Sequence, residues 1–246
     1  MSIMSPVLHW IRYAECPTSR LAPFRLNRSV RTSRRKASMQ SAKLGMDGII
    51  LAGGRSSRMN GQTKALLPFG ESAMLDRIIS RMSLVCDSLV VVVATEEQYD
   101  AMSGRGVRTL IDRLPQQGPL AALHTALEQT EPGKLHWATA CDMPFISETA
   151  AVWMKQKLER SGKMAIVPEI GGKLHPLHAI YRTECAVAAA EFLAEGRLGM
   201  MSLLDRIDFD IVKEKPFAEA GIDVRFAFNM NTPEQYEKAL RMEARL

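Results

Sequence analysis

The chain is short of the residues that build cross-linked or metal-templated folds. Its four cysteines, Cys16, Cys86, Cys141 and Cys185, are scattered through 246 residues, with no C-x-x-C pair and no histidine at ligand spacing. That pattern excludes a disulfide framework and a zinc site, and it fits a reduced, cytoplasmic interior. No segment reaches the roughly 18 apolar residues of a membrane span, and the front end lacks the apolar stretch of about 7–15 residues that marks a secretory signal. A soluble protein without a membrane partner is therefore expected. Internal repeats and low-complexity linkers are also missing after residue 47, so that region reads as one domain.

What is present starts with an ordinary globular composition, 46% hydrophobic and 24% charged. The formal net charge of +5 points first to nucleic acid, but its distribution argues otherwise. Residues 1–45 hold nine Lys or Arg against the single acid Glu15, whereas the remainder holds 23 basic and 26 acidic residues. The body is mildly acidic, and no nucleic-acid partner is expected for it. The Arg- and Ser-rich front end has no sustained helical or strand period and reads as a disordered extension, or as a start assigned ahead of Met39 or Met46. A targeting segment and a nucleic-acid arm are the other readings. Residues 46–246 are expected to form the domain proper.

Along that domain, short β-like runs alternate with helical patterns. Strands are expected at 48–52, 89–95, 107–111, 135–140, 164–168 and 174–181, and helices near 71–86, 118–130, 147–160, 183–194 and 232–244. Such alternation predicts an α/β fold with a mostly parallel central sheet covered on both faces. The fully apolar "LVVVVA" at 89–94 fits a strand buried on both sides. Ligands of such sheets bind beyond the carboxyl ends of the strands. There the chain places Gly53 and Gly54, then Asp112, then Asp142.

The stretch "LAGGRSSRMNGQTKALL" at 51–67 follows the first strand directly. Gly53 and Gly54 allow close approach of backbone N–H groups to a ligand, while Arg55, Arg58 and Lys64 add cationic donors. A polyphosphate requires both. The spacing is not the dinucleotide G-x-G-x-x-G, since the glycines are adjacent, and it is not a P-loop, which would end in Gly-Lys-Ser/Thr. A different nucleoside triphosphate site is left, and the carboxylate of Asp142 would suit Mg²⁺ bridging to the phosphates.

Taken whole, "LAGGRSSRMNGQTKALLPFG" resembles the L-A-G-G-x-S-x-R-M-G-x-x-K-A-L-L signature of the molybdenum cofactor guanylyltransferases, the MobA family of nucleotidyltransferases. Asp112, "GPLAAL" from Gly118, "CDMPF" around Asp142, "HPLHAIYR" from His175 and "FNMNTPEQY" at 228–236 follow in the family's order. The resemblance covers residues 47–241 and implies a Rossmann-like three-layer αβα fold of the nucleotide-diphospho-sugar transferase type. It implies that GMP passes from GTP to the terminal phosphate of molybdenum-bound molybdopterin, with Mg²⁺ as cofactor and pyrophosphate released. Leu51, Ala52 and Gly53 stand where the family's backbone contacts the guanine nucleotide, with Gly54 and Arg58 beside the phosphates. Lys64 matches the phosphate-binding lysine, Asp112 a nucleotide contact and Asp142 the metal ligand. Lys64, Asp142 and Arg58 are thus the implied catalytic residues. Arg197, Asn229 and Asn231 fall where the pterin substrate is held. Other proteins of molybdenum cofactor synthesis and acceptor molybdoenzymes are the implied protein partners.

The chemistry agrees with these residue types. In-line displacement at phosphorus needs positioning and charge stabilisation, and an already ionised phosphate nucleophile needs no strong base. Three positions depart from the family pattern. Asn60 replaces a glycine, Ala122 replaces the last glycine of G-P-L-A-G, and Val93-Ala94 replaces a segment with an asparagine, which leaves that nucleotide contact missing or supplied by Thr95. A transferase using CTP on the pterin, or a nucleoside triphosphate on a sugar phosphate, is the nearest alternative. A non-enzymatic nucleotide or nucleic-acid binder is the third.

Overall fold

The structure, a computed structural model, describes residues 44–54, 63–115 and 117–245. Arg55, Arg58, Asn60 and the extension as far as residue 43 lie outside the described residues.

The apolar run at 46–51 forms β1 (Met46–Leu51), buried at every position. Just ahead of it, the N–H groups of Leu44 and Gly45 donate to the two carboxylate oxygens of Asp87, each at 3.0 Å. After a 3-10 turn (Lys64–Leu66) come the hairpin strands β2 (Pro68–Phe69) and β3 (Ser72–Ala73), then α1 (Met74–Met82). The helix expected from residue 71 begins three residues later because Gly70-Glu71 first closes this two-residue hairpin. The chain continues through β4 (Leu89–Val93), α2 (Glu96–Met102), β5 (Arg108–Ile111), α3 (Gly118–Leu127), β6 (Leu135–Ala140) and α4 (Glu148–Ser161). There follow β7 (Ala165–Ile170), β8 (Lys173–Leu174), β9 (His178–Arg182), α5 (Cys185–Ala194) and α6 (Met200–Leu204). β10 (Phe209–Lys213), α7 (Glu214–Glu219), a second 3-10 turn (Val224–Ala227) and α8 (Pro233–Glu243) complete it.

The central sheet has the order β10-β7-β9-β6-β1-β4-β5. β1 pairs parallel with β6 and β4, β4 with β5, and β10 with β7. β9 runs antiparallel to both its neighbours, β6 and β7. The mostly parallel sheet is thus present, with one reversed strand inside it and the short β8 on the edge of β7. Side chains alternate between two buried layers, as the period of a strand requires. Ile50, Val91, Val93, Trp137 and Ile180 pack with α1, α4, Phe217 of α7 and Ala239 of α8. Ile49, Leu51, Val92, Ala138 and Tyr181 pack with α3, α5 and α6. Three layers result. Each such large side chain contributes about 1.5–3 kcal/mol on burial, so the core holds the strand ends firmly in register.

The strand expected over 174–181 is broken. Pro176 has no N–H to give to a ladder, and the chain turns there. The His175 N–H still donates to the Pro168 carbonyl at 2.9 Å, and the His178 N–H to the His175 carbonyl at 3.0 Å. β10 was not expected from the sequence. Its charges alternate with apolar residues because it is an edge strand with one side open to water. The sequence "TEEQY" at 95–99 and its near copy "TPEQY" at 232–236 open α2 and α8, each with threonine at the N-cap and glutamine three residues on. Among the described residues, no helix is long and apolar enough to cross a membrane.

Candidate active site

Strands β6, β1, β4 and β5 run parallel and side by side, so their carboxyl ends share one edge, and there the chain opens a cleft of about 450 Å³. Seven residues singled out from the sequence line it: Leu51, Ala52, Gly53, Gly54, Lys64, Asp112 and Asp142. The turn after β1 passes against the end of β4. A Cβ on Gly53 would lie 2.8 Å from the Ala94 nitrogen, closer than a side-chain carbon can come, so only glycine fits. The first turn of α3 also faces the cleft through Gly118, Pro119 and Ala122. Gly118 has φ of 80°, and a Cβ there would sit 3.0 Å from the Leu198 carbonyl oxygen.

Charged groups meet at the β6 side. Lys64 and Asp142 are brought together, with Nζ 3.4 Å from Asp142 Oδ2, each side chain about one-fifth exposed. Lys64 Nζ also donates to Asn231 Oδ1 at 3.0 Å. The segment 229–231 is fixed there by its backbone, since the Met230 N–H donates to the Asp142 carbonyl at 2.8 Å. On the same segment, Asn229 Oδ1 is buried and has no hydrogen-bond partner among the described residues. A hard divalent cation asks for a few oxygen donors and keeps several waters, and the Asp142 carboxylate in an open cleft suits that demand. Asn229 Oδ1 is a second unclaimed oxygen on the adjoining segment.

Asp112 is buried at the end of β5, where its Oδ1 accepts from the Leu114 N–H and the Thr125 hydroxyl, both at 3.0 Å. Those bonds fix the carboxylate against α3 at the wall of the cleft. Arg197 is not drawn into the cleft. Its guanidinium pairs with Asp205 at 3.1 Å and lies over the Phe192 ring, although the next residue, Leu198, abuts Gly118. Arg58 falls outside the described residues.

Sequence reasoning passed over several lining residues. Cys141 precedes Asp142, and burial, helped by the negative charge of Asp142, pushes its thiol up to about 12. It is a neutral packing group and not a nucleophile. Leu177, from the broken strand, and Gln98, from α2, also face the cleft. The glutamine had one visible signal, the Thr-x-x-Gln helix start. Thr95, named from the sequence as a nucleotide contact, spends its hydroxyl locally. It accepts from the Gln98 N–H at 3.3 Å and bonds the Glu97 carboxyl, which it holds below the usual range.

Residues 48–210 match a family model described as the MobA-like NTP transferase domain. The chain belongs to this family. Among MobA-like proteins, one from Pelotomaculum thermopropionicum, described as a probable molybdenum cofactor guanylyltransferase, is 36% identical over 193 residues, 78% of this chain and 90% of its own length. Another of the same description, from Carboxydothermus hydrogenoformans, is 31% identical over 193 residues, 78% of this chain and 94% of its own. The crystal structure of molybdopterin-guanine dinucleotide biosynthesis protein A from Archaeoglobus fulgidus superposes with a TM-score of 0.72 at 21% identity, over 82% of this chain and all of that one. That likeness is one of fold, and it matches the three-layer sheet described above. As a MobA-like NTP transferase, the chain is a nucleotidyltransferase.

Proposed function

We propose that this chain transfers GMP from GTP to the terminal phosphate of molybdenum-bound molybdopterin, forming the molybdopterin guanine dinucleotide and releasing pyrophosphate. The observation that carries the reading is the meeting of the glycine turn, Lys64 and Asp142 at one sheet edge in a chain of the MobA-like family. The names borne by relatives at 36% and 31% identity support the guanylyl donor and the pterin acceptor. On this reading the catalytic domain occupies residues 46–246, the preceding residues take no part in turnover, and the enzyme works in the cytoplasm. Other cofactor-synthesis proteins and acceptor molybdoenzymes are its protein partners.

Each residue then has a task. Backbone N–H groups at Ala52–Gly54 approach the nucleotide, as the glycine at 53 permits, and Arg58 lies beside the phosphates. Lys64 neutralises charge that builds on the non-bridging oxygens as a phosphate oxygen of the pterin bonds to the α-phosphorus of GTP. The bond from that phosphorus to the β-phosphate oxygen breaks, and its electron pair leaves with pyrophosphate. Asp142 is the residue that would hold Mg²⁺, and the ion supplies charge neutralisation across the triphosphate. Asp112 positions the nucleoside, while Asn229, Asn231 and Arg197 serve the pterin. Asn231 accepts from Lys64, which ties acceptor side to donor side.

Thermal shift with Mg²⁺ and each of GTP, CTP, ATP and UTP tests the donor, with selective stabilisation by GTP expected. Preference for CTP would replace this reading by the cytidylyl one, and stabilisation by none would remove it. Asp142→Ala is expected to abolish pyrophosphate release with the melting temperature kept, and Lys64→Ala to reduce it at least 100-fold, about the loss of one transition-state donor. Full turnover in either variant would contradict the assignment.

A further inference from the structure

We infer that Gln98 reads the base of the nucleotide, donating from its side-chain amide to a ring carbonyl such as O6 of guanine. The inference rests on the nucleotidyltransferase reading above and adds a specificity-determining residue to it.

Position comes first. In the order β6-β1-β4-β5, the charged pair Lys64–Asp142 lies at the β6 side of the glycine turn, and Gln98 stands past the end of β4 on the other side. At about 4.8 Å between neighbouring strands, the two are roughly 10 Å apart across the edge, which suits phosphates at one end and a base at the other. The β4 side is lined by Val93, Ala94, Gln98, Pro119 and Ala122, uncharged groups that a flat aromatic ring can lie against.

The chemistry follows from how the amide is held. Gln98 Oε1 accepts from the Ala94 N–H at 2.8 Å. That N–H can bond only an oxygen, so the orientation of the amide is fixed and its NH₂ lies on the side away from Ala94. Among the described residues this NH₂ meets no acceptor. The Thr95 hydroxyl, the other polar group at this strand end, is engaged by the Gln98 N–H and the Glu97 carboxyl. A pair of N–H donors is thus left facing the cleft. Guanine offers O6 and N7 acceptors on one edge, whereas adenine and cytosine present an amino group at the corresponding position. A fixed donor accepts the first and repels the others.

The competing reading is a helix cap. In α8, Gln235 Oε1 accepts from the Asn231 and Thr232 N–H groups at 2.7 and 3.1 Å, and Gln235 is not among the cleft residues. Gln98 makes a comparable bond to Ala94, so a cap alone would explain that bond. It would not need the NH₂, and glutamate serves equally at this position of a capping box.

Gln98→Glu therefore separates the two, since it keeps the acceptor and removes both donors. Affinities of wild type and variant for GTP, ITP, ATP and CTP are measured by calorimetry with Mg²⁺. The expected result is an unchanged melting temperature without ligand and a fall of about 10-fold or more in the GTP-to-ATP and ITP-to-ATP affinity ratios, the worth of one discriminating hydrogen bond. ITP keeps the 6-carbonyl and lacks the 2-amino group, so an equal loss assigns the contact to O6. Gln98→Met, which adds no charge, should lose the same ratios. Unchanged ratios in Gln98→Glu with wild type still preferring GTP would overturn the role of Gln98 alone. No preference for GTP in the wild type would overturn the guanylyl reading and this inference together.

Discussion

Gly53 carries a steric demand that a single methyl group can test. Its absent Cβ would stand 2.8 Å from a backbone nitrogen of β4, so the β1 turn and the β4 end cannot both keep their places in Gly53→Ala. We expect a stability loss of about 1–3 kcal/mol, the usual cost of overpacking, read as a lower urea midpoint, together with weaker nucleotide binding by calorimetry. Unaltered binding would show that the close approach is not needed. The glycines, Lys64, Asp112 and Asp142 were legible in the sequence because fixed spacing after a strand puts them at a strand end, and strand ends of a parallel sheet converge. Gln98 was not legible in that way. Its role depends on which N–H its oxygen reaches, and the sequence shows only a helix start. Arg197 illustrates the converse, since its motif position was readable but its pairing with Asp205 over the Phe192 ring was not.

The two Thr-x-x-Gln helix starts hold loops that border the cleft, and the one on α8 can be probed without touching a proposed contact. Thr232 accepts from the Gln235 N–H at 3.3 Å and caps α8 immediately after Asn231, the partner of Lys64. Thr232→Ala should cost about 1 kcal/mol in urea unfolding and raise the KM for the acceptor more than it lowers the melting temperature suggests. The far end of α8 stays anchored by the paired bonds from Arg77 to Glu243 at 2.7 and 2.9 Å, so the helix is expected to persist. Helices and buried strands were readable because their apolar periods are long. β10, the β2–β3 hairpin and the short α6 and α7 were not, being short or exposed on one side, where packing overrides local pattern.

Acid should unfold this protein through two histidines that the fold keeps neutral. Burial holds His136 down to about 4 and His178 to about 3. His178 accepts the Ser147 N–H at 3.2 Å and stacks on Phe226, while His136 bonds Thr183 at 2.8 Å. Both values are depressed below the ordinary 6.5, so the unfolded chain binds protons that the folded chain refuses. Stability is then full above pH ~6.5 and falls as the pH drops toward 4, by about 1.4 kcal/mol per pH unit for each histidine. Urea midpoints between pH 7 and pH 5 should show this slope, and His178→Gln should flatten it by about one proton's worth. A slope unaffected by that change would mean that the ring is protonated in the folded state. The layered α/β plan was legible from alternation, whereas the reversed β9 was not, because a buried apolar strand reads alike in either direction.

The break at 175–177 has a thermodynamic consequence for whatever enters the cleft. Leu177 reaches it from a turn tied at both ends, by the His175 N–H to β7 and by the His178 N–H back to His175. Ordering three loose residues on binding would consume roughly 3–6 kcal/mol of backbone entropy. Here folding has already done that work, so this wall meets its ligand pre-formed and leaves the contact energy available for affinity.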